Sequence, residues 1–293
     1  MQRTFITGDS WLYYKLYSGQ KTSDVILVDI IKPICEELLS KNIIESWFFI
    51  RYGDPKSHLR WRLKVSNPQN IGFVIQTIFN ACKPLVDSGQ IYKIQTDTYK
   101  RELERYGSNT MELAETLFWY DSTMIVNILD LIEGDEGEKI RWLTGIRAID
   151  QLLVDFGYSS QQKFDLLNQL AESFGKEFNI NSQLIVQLSD KYRKEKKDIF
   201  DIMNRNKDID SPYLPVLELL KEKSTNSKSV VSNLLEIYSD NKLQISLESL
   251  LSSLIHMLMN RLFRSKQRLH EMVIYGFLFR YYRTELARQK YNS

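Results

Sequence analysis

Residues 48–63 read Phe48-Phe49-Ile50-Arg51-Tyr52-Gly53-Asp54-Pro55-Lys56-Ser57-His58-Leu59-Arg60-Trp61-Arg62-Leu63. An apolar run stops at a Gly-Asp-Pro turn and is followed by alternating polar and apolar residues, so the stretch predicts a β-hairpin. Successive side chains of a strand point to opposite faces, which puts His58, Arg60 and Arg62 in one row. Two guanidinium groups in such a row form a receptor for a carboxylate or another anion. The same pattern also fits an ordinary exposed strand face with scattered charges.

The composition is that of an ordinary globular protein, and any strongly charged site must be local. The chain has 293 residues, of which 43% are hydrophobic and 26% charged, and its formal net charge is +2. This small net charge excludes a generic polyanion binder, and we expect no direct contact with nucleic acid. Cys35 and Cys82 lie in apolar stretches and are expected to be buried free thiols of a reducing compartment. Neither a long apolar run nor a secretion signal occurs, so we expect a cytoplasmic protein without a membrane span.

The first hundred residues mix strand and helix patterns, whereas the remainder reads as a succession of helices. Trp11–Tyr17 is short and aromatic and predicts the first strand, and Ile91–Gln95 alternates and predicts a further one. From Thr110 onward the apolar residues recur with helical spacing. The sequence therefore predicts an α+β protein, in which an N-terminal mixed part with a small antiparallel sheet is followed by a mostly helical C-terminal part.

Two details of the helical pattern concern where helices begin and end. Ser23 and Asp24 are predicted to cap a helix that ends near Ser40, with a kink or a late start at Pro33. Glu222–Lys228 is polar throughout and is predicted to be a linker.

Two further stretches carry candidate functional groups. Glu102 and Arg105 would share one face of a helical turn, although the spacing alone favours a weak surface ion pair. His256 lies in an apolar helical stretch and is followed one turn later by Asn260. A histidine in such a helix is either a hydrogen-bonded core residue or a general acid/base suited to neutral pH.

Several cofactor signatures are missing from the sequence. It has no Cys/His cluster with zinc spacing, no acidic metal-binding loop, no glycine-rich phosphate loop and no Gly-x-Ser-x-Gly nucleophile elbow. The remaining candidates are arginine, histidine and glutamate side chains. We therefore expect chemistry that uses no cofactor and no metal.

Taken together, the motifs resemble the C-terminal glutamate-elimination domain of class I lanthipeptide (lantibiotic) dehydratases and its free-standing homologues in thiopeptide biosynthesis. The resemblance is carried by the Phe-Phe-Ile-Arg-Tyr-x-Asp-Pro block with its His-x-Arg-x-Arg continuation, by the Glu-x-x-Arg-Tyr-Gly piece, by Asp121-Ser122 and by His256–Leu262. It covers essentially the whole chain, so residues 1–293 are expected to form a single elimination-type domain. One departure is Ser108, where the family often has a second glycine.

The resemblance implies a lyase of ribosomal peptide natural product biosynthesis. A precursor peptide with glutamylated Ser or Thr would lose glutamate and leave dehydroalanine or dehydrobutyrine. The implied catalytic residues are Arg60, Arg62, Glu102, Arg105 and His256, and substrate-binding roles are expected for Arg51, His58, Tyr99 and Asn260.

The resemblance also implies partners. We expect a precursor peptide with leader and core, and a separate glutamylating subunit, because the sequence holds no counterpart of the preceding glutamylation domain. Self-association as a homodimer is compatible with the sequence.

Two alternatives to elimination stay open. One is a thiopeptide pyridine synthase, which joins two dehydroalanines in a formal cycloaddition and expels the leader peptide. Because all five elimination residues have counterparts here, elimination is favoured. The other is a non-catalytic subunit that binds leader peptides, against which the retention of His256 in an apolar helix argues.

Overall fold

A computed structural model of the chain describes residues 1–132, 134–204 and 211–292. The strands are β1 (Thr4–Phe5), β2 (Trp11–Ser18), β3 (Ile44–Tyr52), β4 (His58–Val65), β5 (Ile91–Thr96) and β6 (Tyr99–Lys100). The helices are α1 (Gln20–Ile26), α2 (Lys32–Ser40), α3 (Ile71–Asp87), α4 (Leu103–Tyr106), α5 (Met111–Leu131), α6 (Gly134–Asp155), α7 (Ser160–Glu177), α8 (Ser182–Asn204), α9 (Leu214–Ser239), α10 (Leu247–Leu262) and α11 (Gln267–Asn292).

The described residues divide into two compact units. The first consists of Met1–Leu131 and Ser232–Ser265, and the second of Ile132–Val231 and the segment from Lys266 onward. All strands of the described residues lie in the first unit, which confirms the predicted α+β class with its N-terminal sheet. The expectation of a single elimination-type domain stays a prediction.

The first unit is built on a four-stranded antiparallel sheet with the order β3-β4-β2-β5. Its centre is the predicted hairpin β3–β4, whose turn contains a cis Asp54–Pro55 peptide bond. Leu59, Trp61 and Leu63 of β4 are at most 1% exposed, while helices α1, α2 and α3 contact the strands. The apolar half of the alternating pattern therefore forms a core between sheet and helices, as such a pattern predicts.

The helix predicted from Ser23 begins earlier and is interrupted. Helix α1 starts directly after Gly19, and a π-helical turn at Leu27–Ile31 separates it from α2. Pro33 lies in the first turn of α2, where its missing N–H is tolerated. The capping prediction for Ser23 and Asp24 is thus wrong: both side chains are used for a tertiary contact described below.

The predicted linker Glu222–Lys228 is also wrong, because it lies inside α9. Buried apolar residues recur with helical spacing on both sides of it, at Val216, Leu217, Leu220, Val230, Val231 and Leu234. Within it, the Thr225 Oγ1 hydroxyl donates to the Lys221 carbonyl at 2.9 Å, and Ser227 donates to the Lys223 carbonyl. Such bonds to the i−4 carbonyl let hydroxyl side chains reside in a helix that tertiary packing maintains.

The second unit is helical throughout its described residues. Asp150 of α6 is a buried carboxylate that accepts from Lys163 Nζ of α7 at 2.6 Å and from the Tyr282 hydroxyl of α11, and it pairs with Arg147. This shared carboxylate joins three helices. No helix within the described ranges is long and apolar enough to cross a membrane. Cys35 and Cys82, both in the first unit, are buried and free, as predicted.

Candidate active site

The polar half of β4 forms the row that the sequence predicts. His58, Arg60 and Arg62 pair in register with Tyr17, Lys15 and Tyr13 of β2 on one side and with Tyr52, Ile50 and Phe48 of β3 on the other. Because paired residues of neighbouring strands share a face, the two arginines are surrounded by aromatic side chains and by one lysine. Lys15 is neutralised by an ion pair with Asp97. Besides the two arginines, the face carries Lys93 of β5, whose Nζ lies 5.2 Å from the ring centroid of Tyr17 at the His58 end of the row.

Arg62 is a buried cation inside an aromatic cage. Its side chain is only 8% exposed, and its guanidinium carbon lies 4.4 Å from the ring centroid of Tyr13, 4.8 Å from that of Tyr99 and 5.1 Å from that of Phe48. Within the described residues its Nε has no hydrogen-bond partner. Burial lowers the pKa of Arg62, and the nearby Glu102 acts in the opposite direction. A guanidinium in this setting gains strongly from an anion placed against it.

Arg60 is held by two neighbours on the same face. The Arg60 guanidinium lies 3.4 Å from the ring centroid of Tyr52, and Arg60 Nε donates to His58 Nε2 at 3.2 Å. The other ring nitrogen, His58 Nδ1, lies 2.8 Å from the carbonyl oxygen of Lys56 and must therefore carry the proton. Burial lowers the pKa of His58, which favours this neutral form. The imidazole thus acts as an acceptor that orients Arg60.

The described residues do not neutralise either arginine of this row. Within that part of the chain, no carboxylate oxygen lies within 4.0 Å of Arg60 or Arg62. Buried or half-buried cations are normally paired, because removing a charge from water is costly. The arrangement therefore leaves two guanidinium groups available for an anion.

Glu102 and Arg105 form an ion pair at the rim of a neighbouring cavity. Glu102 Oε2 and Arg105 Nε are 3.2 Å apart, and both side chains are largely exposed. The cavity, of about 600 Å³, is lined by this pair together with Glu104, Ile245, Ser246, Ser249 and Ser253. The predicted i,i+3 relation is confirmed, and the pair faces hydroxyl groups at the beginning of α10 rather than bulk solvent alone.

The turn that follows this pair depends on Gly107 and is attached by Ser108. Gly107 has φ +75°, and a Cβ there would lie 2.8 Å from Thr110 Oγ1. Only glycine adopts this conformation without strain. Ser108, the departure noted in the sequence, donates from its backbone N–H and its hydroxyl to Gln244 Oε1 at 2.7 and 2.8 Å. The serine thus ties the turn to the segment before α10.

Helix α10 carries a polar stripe on an otherwise apolar helix. Ser249, Ser253, His256 and Asn260 follow one another at spacings of four, three and four, which places them on one face. Ser253 lines the Glu102–Arg105 cavity, and His256 is half-buried one turn further on. The polar stripe thus continues along the helix from the cavity-lining Ser253 to His256.

Asn260 fixes the position of this stripe against the sheet. The Arg51 N–H donates to Asn260 Oδ1 at 2.8 Å, and Asn260 Nδ2 donates to the Arg51 carbonyl at 2.9 Å. The Phe49 N–H donates to Ser122 Oγ at 3.2 Å. Since β3 lies at the edge of the described sheet, these bonds satisfy backbone groups that face away from β4. Ser122 and Asn260 are therefore motif residues whose side chains bind the backbone of β3.

Arg51 lies on the opposite face of the sheet from Arg60 and Arg62. It is paired in register with Leu59, and its Nη1 and Nη2 donate to Ser23 Oγ and Asp24 Oδ1, both at 2.6 Å. Its Nε donates to the Arg261 carbonyl at 2.9 Å. All three guanidinium nitrogens of Arg51 therefore donate to an acceptor, and its charge is paired with Asp24.

Tyr99 is fixed through its hydroxyl group. The hydroxyl donates to Glu115 Oε1 at 2.7 Å, and Arg101 binds both oxygens of the same carboxylate at 2.7 and 2.6 Å. Burial raises the pKa of Tyr99 well above its ordinary value. The ring of Tyr99 therefore presents a neutral, immobile wall to Arg62.

One buried cation was not predicted as a site residue. Arg261 is 0% exposed; its guanidinium lies 4.8 Å from the ring centroid of Phe118 and 3.8 Å from Asp121 Oδ2. Burial lowers its pKa to about 10, Asp121 opposes this, and Arg62 adds to it. Phe118 also contacts Phe48, with ring centroids 5.4 Å apart. Arg261 and Arg62 thus belong to one cationic, aromatic region, and an arginine inside the apolar run of α10 was the available signal.

These features define a class of protein: an α+β protein whose sheet presents two arginines that the described residues leave without carboxylate partners, beside a Glu–Arg pair and a histidine-bearing helix. Residues 11–282 match the family described as lantibiotic biosynthesis dehydratase C-term. The chain belongs to this family.

Two relatives are similar to this chain. The chain is 25% identical over 269 residues to the subtilin biosynthesis protein SpaB of Bacillus subtilis. This match covers 91% of the chain and 25% of SpaB. It is 32% identical over 134 residues to the nisin biosynthesis protein NisB of Lactococcus lactis subsp. lactis, covering 45% of the chain and 13% of NisB. The chain thus spans about a quarter of the length of SpaB.

Two solved structures share the fold. One is the tRNA dependent lantibiotic dehydratase MibB from Microbispora sp. 107891, with a TM-score of 0.73 and 21% identity over 97% of this chain and 29% of MibB. The other is TbtD, the pyridine synthase from thiomuracin biosynthesis, with a TM-score of 0.67 and 11% identity over 94% of this chain and 99% of TbtD. At these identities the likeness concerns the fold alone.

Proposed function

We propose that this chain eliminates glutamate from glutamylated Ser or Thr residues of a precursor peptide and leaves dehydroalanine or dehydrobutyrine. The observation that carries the proposal is the pair Arg60 and Arg62, which share a strand face and have no carboxylate partner in the described residues. Glutamate leaves as an anion, and cations aimed in advance at developing negative charge usually contribute more to catalysis than any other single effect. Family membership supports a role in the dehydration of precursor peptides.

The reaction is a β-elimination in which atoms and charges balance. A base takes the Cα proton, its electron pair becomes the Cα–Cβ double bond, and the Cβ–O ester bond breaks. The departing oxygen stays with glutamate as a carboxylate. We assign the base to His256, because a half-buried histidine suits proton transfer near neutral pH. Arg60 and Arg62 stabilise the charge on the peptide carbonyl and on the leaving carboxylate.

The remaining residues bind and position the substrate. Arg105, held by Glu102 at the cavity rim, is suited to the free side-chain carboxylate of the glutamyl group. Arg51 and Asn260 hold β3 against α10, and Tyr99 forms one wall around Arg62. Their expected substrate-binding roles are thus proposed to be indirect, through the position of the catalytic groups. The ester substrate is made by a glutamylating activity acting before this step.

The test uses a synthetic peptide with one glutamyl-serine ester and mass spectrometry after incubation with the chain. We expect loss of the glutamyl group with formation of dehydroalanine, and no such product from the His256→Ala and Arg60→Ala variants. His270→Ala, on α11 of the second unit, is the matched histidine control and should retain the activity. Hydrolysis of the ester to serine, or an unchanged peptide, would contradict the proposal.

A second incubation separates the alternatives. A peptide that already holds two dehydroalanines is offered to the same protein. A cyclised product with release of the leader would assign the chain to the pyridine synthases. Binding of either peptide without any chemical change would favour the non-catalytic leader-binding subunit.

A further inference from the structure

The second unit contains a cavity that the proposed elimination does not use. It has a volume of about 870 Å³ and lies among α7, α8 and α11. This volume is at the upper end of the range of pockets that bind organic ligands. Its apolar lining is formed by Ala171, Ile180, Ile185, Leu188, Met272 and Phe279.

Three cations line the same cavity. They are Lys176 of α7 and Arg280 and Arg283 of α11. Arg280 donates to two neutral acceptors, the Gly276 carbonyl at 2.8 Å and Ser189 Oγ at 3.3 Å. Within the described residues, no carboxylate oxygen lies within 4.0 Å of any of the three. Their positive charge is therefore not neutralised by that part of the protein.

Electrostatics within the cavity favours an anion. Burial lowers the pKa of Arg280, and the charge of Arg283 lowers it further. Among the described residues, the only carboxylate of the cavity lining is Glu172, which accepts from Asn168 Nδ2 at 2.8 Å. Three cations and one carboxylate leave an excess of positive charge on the wall. A ligand carboxylate would relieve the repulsion between the two arginines.

Two glycines keep the cavity open next to Arg280. Gly175 and Gly276 contribute no side chain to the wall. A Cβ at Gly276 would lie 3.1 Å from Arg280 Nη1, so a larger residue there would displace the guanidinium. The absence of a side chain at Gly276 therefore leaves room for the Arg280 guanidinium at the cavity wall.

We infer that this cavity binds an acidic amphipathic peptide segment, with leucine-like side chains on the apolar lining and carboxylates on Arg280 and Arg283. The two arginines are three positions apart on one helix, so their Cβ atoms are about 5–6 Å apart. Carboxylates one turn apart on a peptide helix have the same spacing. An apolar helix face set in a groove between helices is a common mode of peptide recognition. The charge excess selects an acidic peptide over a basic or neutral one.

The test measures fluorescence anisotropy of a fluorescein-labelled peptide made of three Glu-Leu-Leu-Glu repeats, titrated with the full chain. We expect saturable binding that weakens as salt is raised. The same peptide with glutamine in place of glutamate should bind at least about tenfold more weakly. The double variant Arg280→Gln/Arg283→Gln should lose at least about tenfold in affinity for the acidic peptide.

Two further variants separate a local effect from a general one. Arg193→Gln, on the exposed face of α8 and outside the cavity, removes an arginine paired with Asp190 and should leave binding unchanged. Ile185→Ser changes a half-exposed residue of the apolar lining and should weaken binding several-fold. Thermal unfolding of each variant establishes that the chain is folded.

Three results would overturn the inference. These are no binding to the unchanged chain, equal binding of the glutamine peptide, and equal affinity of the double arginine variant. If decanoate binds while the acidic peptide does not, the cavity takes a small apolar acid, which also overturns the proposal. None of these results bears on elimination, because the cavity and the proposed active site use different residues.

Discussion

Replacing Arg60 by lysine keeps the charge of the row on β4 but removes the two contacts that orient it. The guanidinium of Arg60 lies 3.4 Å from the Tyr52 ring centroid, and its Nε donates to His58 Nε2 at 3.2 Å. In lysine the position of Nε is a methylene group, which cannot donate. The ammonium also lacks the planar fork that binds a carboxylate through two parallel bonds.

The size of the effect follows from these two contacts. A hydrogen bond with a charged partner contributes about 1.5–3 kcal/mol. A close cation–aromatic contact contributes about 0.5–2 kcal/mol, part of which lysine can keep. If these contacts orient Arg60 in the transition state, losing them raises the activation free energy by about 2–4 kcal/mol, which corresponds to a decrease of about 30- to 1000-fold in rate. The fold should persist, because Arg60 is half-buried and its aliphatic stem is retained.

The assay is single-turnover elimination from the glutamyl-serine peptide, followed by mass spectrometry. Lys64→Arg is the matched control, since Lys64 lies on the same strand and face and pairs with Glu45 at 2.7 Å. It should stay within about twofold of the unchanged protein. Elimination by Arg60→Lys within about threefold of that of the unchanged protein would show that charge alone suffices and would refute the orientation argument.

Three further changes test other contacts of the site. Burial lowers the pKa of His58, so the folded state favours the neutral imidazole. The stability that the neutral imidazole contributes is fully present above the ordinary histidine pKa near 6.5. It is lost as the pH falls through the lowered pKa of the folded state. In urea unfolding at pH 7.5 and 5.0, His58→Gln should therefore lose less stability on acidification than the unchanged protein, and equal losses would contradict the assignment. Tyr99→Phe removes the donor to Glu115 but keeps the ring beside Arg62. The free energy of unfolding should therefore fall by about 1–2 kcal/mol, while the elimination rate changes less than threefold. A large loss of rate with unchanged stability would give the hydroxyl a direct role. Asn260→Ala leaves the outward N–H and carbonyl of Arg51 without their partner, which should cost about 2–4 kcal/mol in urea unfolding, and a cost below about 0.5 kcal/mol would show that these groups reach water instead.

The sheet was predictable because its signal is local. Alternation over β4 placed Leu59, Trp61 and Leu63 on one face and the charged residues on the other, and the structure confirms both. Composition misled the prediction at Glu222–Lys228, since Ser, Thr and Asn are typical of loops. What makes this segment helical is the burial of apolar residues before and after it in α9, which comes from packing partners distant in sequence.

The sequence predicted which strand carries the candidate row, but not the side chains that surround it. The cage around Arg62 combines Phe48 of the same hairpin with Tyr13 and Tyr99, which come from other strands. The hairpin partner follows from strand register, whereas Tyr13 depends on the order of strands in the sheet and Tyr99 belongs to a separate two-stranded sheet. Arg261 was missed for the same reason: its compensating carboxylate, Asp121, lies on another helix.

Arg51 and Arg62 are both candidates that the resemblance supplies, and the structure places them in different surroundings. Both are arginines on adjacent strands, flanked by apolar and aromatic residues, and both are 8% exposed. Arg51 binds Asp24, Ser23 and the Arg261 carbonyl, so its charge is neutralised by the fold. Arg62 has aromatic rings where Arg51 has a carboxylate. The free-energy cost of removing the Arg62 charge from water is therefore compensated only in part. A buried cation that the fold does not neutralise is stabilised when an anion binds, and this is the property that elimination of glutamate requires.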